Sequence, residues 1–109
     1  MNIDKETERS IQELQLLEQN IQNLLLQKQA FQIELSETTN AAEELKKSKD
    51  DAFRIVGQIM LKADRAELEK ELEEKKKLLN LRISSIEKQE DLIAEKTEKL
   101  RQEITKKLK

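Results

Sequence analysis

Cysteine, histidine and proline are absent from this sequence of 109 residues, and glycine occurs only once, at Gly57. Without cysteine the chain has no disulfide framework and no thiolate nucleophile. Without histidine it lacks the commonest general base and the commonest metal ligand. A single glycine cannot build the glycine-rich loop that holds phosphate groups. We therefore predict no enzymatic activity, no metal site and no cofactor.

Aromatic residues are nearly absent as well, at 2% of the chain, whereas charged residues make up 40%. So few large apolar side chains cannot fill a thick globular core. A composition rich in Glu, Lys, Leu and Gln is instead typical of long helices and coiled coils. A disordered chain could be equally charged, but it would not keep a regular apolar repeat. The sequence predicts a fold dominated by α-helix.

Long apolar runs are also missing, since Leu24-Leu25-Leu26 and Ile59-Met60-Leu61 are far too short to span a membrane. The first six residues lack the apolar stretch of a secretory signal, so we expect a cytoplasmic protein without membrane contact. Residues 1–51 carry 6 basic and 11 acidic side chains, whereas residues 52–109 carry 15 and 12. Opposite net charges suit two helices that lie against each other. They do not form the coherent basic stripe of a nucleic-acid-binding protein.

The first half of the chain repeats in sevens, with apolar residues spaced alternately three and four apart. This spacing marks the seam of a coiled coil, where positions a and d face the partner helix. Position a comprises Leu14, Ile21, Lys28, Leu35 and Ala42, and position d comprises Leu17, Leu24, Phe31, Thr38 and Leu45. A surface helix on a globular domain is the alternative, but few apolar residues remain elsewhere to form that domain.

The second half repeats in sevens too. Its unbroken series comprises Leu72, Leu79, Ile86, Ile93 and Leu100, and a more polar companion series comprises Lys76, Ile83, Glu90, Thr97 and Ile104. The Lys- and Glu-rich stretch 69–77 is typical of a solvated helix face with stabilising ion pairs.

Between the two repeats, β-branched and other apolar residues surround the single glycine. Strands over residues 53–56 and 59–62, joined by Gly57-Gln58, match a type II′ hairpin, which requires glycine at its first central position. One continuous helix is the alternative. The hairpin is favoured because both heptad series stop on either side of Gly57.

The second helix has a start signal, because Asp64 is followed three residues later by Glu67 in a capping-box arrangement. We expect one domain over residues 1–109, made of a helical segment 1–51, a hairpin 52–63 and a helical segment 64–109. The helices themselves would run from about residue 4 to 51 and from about 65 to 106.

Two antiparallel registers fit these repeats. One places Leu17 opposite Leu100 and Leu45 opposite Leu72, and the other is shifted by three residues. Both place Lys28 and Glu90 in the same or neighbouring layers. We hypothesise that this charged pair penalises slipped registers.

A lone two-stranded hairpin is only marginally stable in water, and its unpaired edges favour association. This one would expose six apolar side chains that its own chain cannot cover: Phe53, Ile55, Val56, Ile59, Met60 and Leu61. We therefore predict that hairpins from several chains join into an oligomeric, β-barrel-like platform, from which the helices extend as arms.

The segment from Phe53 to Lys62, flanked by long heptad helices, resembles the beta subunits of archaeal-type prefoldin. That family has an aromatic residue, a basic residue, a spacer, Val-Gly, a polar residue and an apolar strand. Here Phe53 stands where Tyr is usual, Arg54 where Lys is usual, and Val56-Gly57 matches. The resemblance extends over nearly the whole chain. A single hairpin corresponds to the beta class, because alpha-class subunits carry two.

This resemblance implies a heterohexamer of two prefoldin alpha subunits and four beta subunits. It further implies an ATP-independent chaperone that holds unfolded client proteins at the tips of six coiled coils and passes them to a group II chaperonin.

Client capture requires apolar side chains near the tips, which are the two ends of the chain. The candidates are Ile3, Ile11, Leu14 and Leu16 on the first helix and Leu100, Ile104 and Leu108 on the second. Each could contribute about 1.5–3 kcal/mol when buried, and weak contacts on several arms would add through effective concentration. The alternative is that these residues simply complete the seam.

Two other functions compete with the chaperone. A structural or adaptor coiled coil would use the hairpin only to join its helices, and it would tolerate polar residues at Ile55 and Val56. A nucleic-acid-binding arm would need a basic face, but acidic Glu73 and Glu74 adjoin the only three consecutive basic residues, 75–77.

Overall fold

Two long helices joined by an antiparallel hairpin make up the computed structural model, which describes residues 4–108. Helix α1 spans Lys5–Lys47, strand β1 Ala52–Val56, strand β2 Ile59–Ala63 and helix α2 Arg65–Leu108. The predicted order of helix, hairpin and helix is confirmed. Within the described residues, neither helix has a stretch long and apolar enough to cross a membrane.

Both helices begin at an aspartate cap. Asp4 Oδ1 accepts a hydrogen bond of 2.7 Å from the Thr7 amide, and hydrogen bonding by the Thr7 side chain, together with this amide, lowers the pKa of the Asp4 carboxyl. Asp64 Oδ1 accepts a weaker bond of 3.3 Å from the Ala66 amide, as expected for the residue before α2. The capping box is only half formed, because no hydrogen bond among the described residues joins the Glu67 side chain to the Asp64 amide.

Helix α1 ends at Lys47, four residues earlier than the sequence suggested. Ser and Asp side chains compete with helical hydrogen bonds, and they fill three of the four positions 48–51. Ser48 Oγ accepts a hydrogen bond of 3.2 Å from the Asp50 amide, which stabilises a turn instead. The Arg65 guanidinium donates to the carbonyl oxygens of Leu45 and Asp50, so it caps the last turn of α1 from the start of α2.

The hairpin has the predicted two-residue turn. Strands β1 and β2 pair from Ala52 with Ala63 to Val56 with Ile59, which leaves Gly57 and Gln58 at the turn. Gly57 has φ +63°, and no non-glycine residue that the structure describes has positive φ. Positive φ at the first central position alone defines a type II′ turn. Each strand is one residue longer than predicted, because Ala52 and Ala63 also pair.

The heptad pattern matches the observed burial. All ten a and d residues predicted on α1 are buried or half-buried, as are all ten residues of the two series on α2. We letter the Leu72 series d and the Lys76 series a. On α1 the pattern continues towards the N-terminus with Thr7, which is 2% exposed, and half-buried Ser10. Period-seven burial is the signature of a coiled-coil seam.

Contacts divide the described chain into two compact units. The hairpin unit contains residues 30–83, and the terminal unit contains residues 4–29 and 84–108. In each unit a segment of α1 lies antiparallel to a segment of α2.

Candidate functional site

Both faces of the hairpin are apolar and exposed. Alternation along the paired strands places Phe53, Ile55 and Met60 on one face and Val56, Ile59 and Leu61 on the other. All six side chains are more than half exposed. A sheet stabilised by burial of one face would bury three of them. This hairpin therefore presents two apolar faces, together with strand edges that have no partner among residues 4–108.

Arg54 ties the hairpin to α2. Its guanidinium donates a hydrogen bond of 2.7 Å to Glu71 Oε1, which lowers the pKa of the Glu71 carboxyl. Lys62 lies 3.6 Å from Asp51, but both side chains are highly exposed, so this pair contributes little. The Arg54–Glu71 bridge and the Arg65 cap together fix β1 and the end of α1 against the start of α2.

The most deeply buried side chains in the seam of the hairpin unit are a leucine, an alanine and a threonine. Leu79 is 2% exposed, and Ala42 and Thr38 are 6% and 4% exposed. The Thr38 hydroxyl donates a bond of 2.7 Å to the Glu34 carbonyl, so its burial leaves no polar atom unsatisfied. Across the seam, the Arg82 guanidinium stacks over the Phe31 ring at 5.5 Å from its centroid.

The seam of the terminal unit contains a charged layer. Lys28 Nζ lies 2.8 Å from Glu90 Oε1, and only 20% and 19% of the two side chains is exposed. The hydrogen bond that Lys28 donates to the Glu90 carboxylate raises the pKa of Lys28. The predicted proximity of Lys28 and Glu90 is confirmed, whereas their role in selecting the register stays a hypothesis.

The pairing in the terminal unit agrees with the first of the two predicted registers. Leu17 and Leu100 line one surface hollow of about 350 Å³. Glu18, next to Leu17, forms a salt bridge of 2.9 Å with Arg101, next to Leu100. Both observations place Leu17 opposite Leu100, as in that register.

The residues proposed to bind clients have unequal exposure. Leu100 and Ile104 are buried in the seam, at 9% and 8%, and Leu14 is half-buried there. Ile11 is half-buried beside the seam, and Leu108 is 43% exposed. Ile3 lies outside the described residues. A client can therefore reach Leu100 and Ile104 only where the helices separate, whereas Leu108 is accessible with the seam closed.

Two flanks border the seam of the terminal unit. The first flank consists of residues that directly follow an a or d position: Glu8, Ile11, Gln15, Glu18, Gln22, Leu25, Gln29, Glu87, Asp91, Ala94, Glu98, Arg101, Thr105 and Leu108. The second flank consists of residues that directly precede one: Glu6, Arg9, Glu13, Leu16, Asn20, Asn23, Gln27, Ser85, Gln89, Leu92, Lys96, Lys99, Glu103 and Lys106. The Glu18–Arg101 bridge joins the two helices across the first flank.

A hollow of about 460 Å³ opens on the first flank. It is lined by Glu18, Ile21, Gln22, Ala94, Thr97, Glu98 and Arg101. A second depression of about 290 Å³ shares Glu98 and Arg101 with it and continues to Thr105 and, on the second flank, to Lys106. Thr97 is 8% exposed, and within the described structure its Oγ1 is buried without a hydrogen-bond partner. The larger hollow thus combines the apolar side chains of Ile21 and Ala94 with the charged side chains of Glu18, Glu98 and Arg101.

Sequence reasoning missed the first flank and the Arg65 cap. The flank could have been found, because Ile11 and Leu25 are apolar at positions directly after d, where coiled coils usually carry charge. The Arg65 cap could not, because it depends on how the end of α1 meets the start of α2.

Comparison with known proteins gives one consistent family. The sequence model described as prefoldin subunit matches residues 8–109. The prefoldin subunit beta of Methanospirillum hungatei is 35% identical over 105 residues, which cover 94% of this chain and 88% of that protein. The prefoldin subunit beta of Pyrobaculum islandicum is 40% identical over 90 residues, covering 81% of this chain and 72% of that one.

A solved structure agrees with the sequence matches. The crystal structure of the prefoldin beta subunit from Thermococcus strain KS-1 superimposes with a TM-score of 0.89. The alignment covers 99% of this chain and 96% of that chain, at 31% identity. The resemblance drawn from the hairpin residues and the heptads is confirmed by these matches.

Proposed function

The chain belongs to the prefoldin family, and we propose that it is the beta-type subunit of an ATP-independent holdase chaperone. The family is one of chaperones rather than enzymes, so the coarse role follows from membership. The finer proposal has three parts: capture of unfolded clients by the terminal unit, assembly through the hairpin, and delivery of clients to a group II chaperonin. Residues 1–109 would act as a single domain in a cytoplasmic protein.

The hairpin gives the assembly part its main support. Six apolar side chains, all more than half exposed on two faces, would be unfavourable in water for a monomer. Joining hairpins from six subunits would bury them and pair the strand edges at the same time. The partners proposed for this assembly are two prefoldin alpha subunits and three further copies of this chain.

The chemistry of the terminal unit supports client capture. Unfolded proteins expose apolar side chains of no fixed order, so a binding surface must offer apolar contacts without a rigid pocket. Accessible Leu108 and half-buried Ile11 provide such contacts, and Leu14, Leu100 and Ile104 would add to them where helix ends fray. Ile3, which lies outside the described residues, stays in the proposal on its sequence alone.

Native mass spectrometry of a tagged chain, recovered from extract of its source organism, tests the assembly. We expect a hexamer with four copies of this chain and two of a longer, related chain. A monomer or a simple dimer would contradict the proposal and leave an adaptor coiled-coil hairpin as the function.

An aggregation assay without nucleotide tests the holdase. The recovered complex should keep a chemically unfolded protein in solution after dilution, and adding a group II chaperonin should release that protein in folded form. Removal of residues 1–12 and 101–109 should preserve the hexamer but abolish its ability to suppress aggregation of the unfolded protein. Unchanged suppression by the trimmed complex would exclude the terminal unit as the capture site.

A further inference from the structure

The two flanks of the terminal unit differ in charge. The first flank carries five carboxylates and one basic side chain, Arg101, which Glu18 already pairs. The second flank carries three carboxylates and four basic side chains. The formal charge is therefore −4 on the first flank and +1 on the second. Two surfaces of the same coiled coil thus present opposite fields to an approaching chain.

The flanks differ in apolar content as well. On the first flank Ile11, Leu25, Ala94 and Leu108 each directly follow a d position, so they border the seam. Leu25 and Leu108 are 42% and 43% exposed. On the second flank Leu16 and Leu92 are more exposed, at 58% and 60%, but each precedes a d position and stands among polar neighbours.

The hollows on the two flanks differ in the charge of their rims. On the first flank Ile21, Ala94 and Thr97 form the floor, with Glu18, Glu98 and Arg101 at the rim. On the second flank the rim has two carboxylates and two ammonium groups, from Glu13, Glu103, Lys96 and Lys99. Both hollows have apolar residues in their lining, Ile21 and Ala94 in the first and Leu17 and Leu100 in the second, so the first is distinguished by its excess of negative charge.

We propose that the first flank of the terminal unit binds an extended segment of an unfolded client in which large apolar side chains stand next to Lys or Arg. The proposal rests on the chaperone function proposed above and specifies its client chemistry. An apolar client side chain would fill the hollow over Ala94 and Thr97. Its basic neighbours would lie against Glu98 and the nearby Asp91 and Glu87, where their attraction is salt-dependent.

Matched pairs of leucine variants test the location, in the full chain and in the assembly it forms. The probe is a fluorescent peptide of alternating Leu, Arg and Ser, and its Kd is measured by anisotropy. Leu25→Ser with Leu108→Ser should weaken binding about tenfold, because two apolar contacts are lost. Leu26→Ser with Leu92→Ser, both of which lie outside the first flank, should change the Kd less than twofold, although those leucines are more exposed, at 64% and 60%. Equal effects of the two pairs would overturn the proposal.

Charge variants test the client chemistry. Glu98→Lys with Asp91→Lys should weaken the Leu/Arg/Ser peptide about tenfold and abolish its salt dependence. The same variant should strengthen a matched peptide with Glu in place of Arg. Reversal of Lys96 and Lys99 to Glu on the second flank serves as the control and should leave both Kd values within twofold. Equal binding of both peptides to the unchanged chain would contradict the charge preference.

Three further outcomes would overturn the proposal in distinguishable ways. If first-flank variants alter the oligomeric state in native mass spectrometry, the flank is an interface between subunits. If the unchanged complex suppresses aggregation but first-flank variants suppress it equally well, the chaperone function stands and this client site is wrong. If the unchanged complex suppresses no aggregation, the chaperone function itself fails.

Discussion

At the scale of single residues, one charged pair interrupts the apolar seam of the terminal unit. Only 20% of the Lys28 side chain and 19% of the Glu90 side chain is exposed, and Lys28 Nζ lies 2.8 Å from Glu90 Oε1. A partly covered pair of this kind contributes little net stability, but either charge left alone in the seam would be unfavourable. The pair therefore matters for the register rather than for net stability, because a slipped register separates the two charges and leaves each without its partner.

Removing the pair should relax the register. In the Lys28→Leu, Glu90→Leu double variant we expect stability to be maintained or to rise, while the helices populate more than one register. Cysteines at positions 17 and 100 would crosslink completely in the unchanged chain and only in part in the variant, measured by gel shift. The chain has no native cysteine, so other thiols cannot interfere. Complete crosslinking in the variant would refute the register role.

The same pair predicts alkaline sensitivity. Glu90 raises the pKa of Lys28 above its ordinary value of 10.5, so the folded state binds the proton more tightly than the unfolded state does. The resulting stability is fully present below pH 10.5 and is lost as pH rises through the higher folded-state pKa. Urea unfolding between pH 9 and 12 should show a steeper loss of unfolding free energy in the unchanged chain than in Lys28→Met. Parallel curves would contradict the pairing.

At the scale of elements, the connection between α1 and the hairpin depends on a side chain from α2. Arg65 donates to the carbonyl of Leu45, which lies in the last turn of α1 and has no intrahelical partner, and to the carbonyl of Asp50 in the following turn. Arg65→Gln should lower the unfolding free energy by about 1–2 kcal/mol, measured by denaturant titration followed by circular dichroism. Lys77→Gln, an exposed change on the same helix, is the control. An unchanged midpoint for Arg65→Gln would show that water caps α1 equally well.

The turn gives a second prediction at this scale. A Cβ at Gly57 would have no neighbouring atom within 4 Å. Any loss of stability in Gly57→Ala therefore comes from the backbone conformation and not from steric crowding. With φ at +63°, alanine should destabilise the hairpin by about 1–3 kcal/mol. Thermal unfolding should show the loss for Gly57→Ala and almost none for Gln58→Ala, whose backbone lies in an ordinary region. Equal melting temperatures would mean that the turn can rearrange.

At the scale of the whole molecule, the question is what covers the hairpin. Ile55→Ser with Met60→Ser removes two apolar side chains from one face without touching the turn or the Arg54–Glu71 bridge. We expect the assembly to dissociate while the helical circular dichroism signal stays the same, because the seam does not include these residues.

Leu78→Ser with Leu81→Ser is the matched control for that change. These leucines belong to the same unit, and at 48% and 67% their exposure is comparable to that of the hairpin residues. Native mass spectrometry should find the control fully assembled. If the hairpin variant still assembles, the hairpins do not form the oligomeric platform. If the control dissociates, assembly depends on exposed apolar residues in general and not on those of the hairpin.

Local patterns were enough to predict the elements. Two heptad series, one glycine and one aspartate cap predicted two helices and a type II′ hairpin, because each of these features is decided within a few residues of the chain. The end of α1 was predicted four residues too late, since propensity over 48–51 is weak and the Arg65 cap comes from a distant part of the sequence.

The sequence by itself thus determined the helices, the hairpin and the seam residues, because period-seven burial and turn chemistry are local rules. The family followed from the resemblance of the hairpin segment to archaeal-type prefoldin beta subunits. Only the tertiary structure decided which apolar residues near the chain ends are accessible. Leu100 and Ile104 fill the seam, whereas Leu25 and Leu108 border it. The reason is physical: a side chain's exposure depends on the helix packed against it, and the register of that packing is a property of two segments rather than of either one.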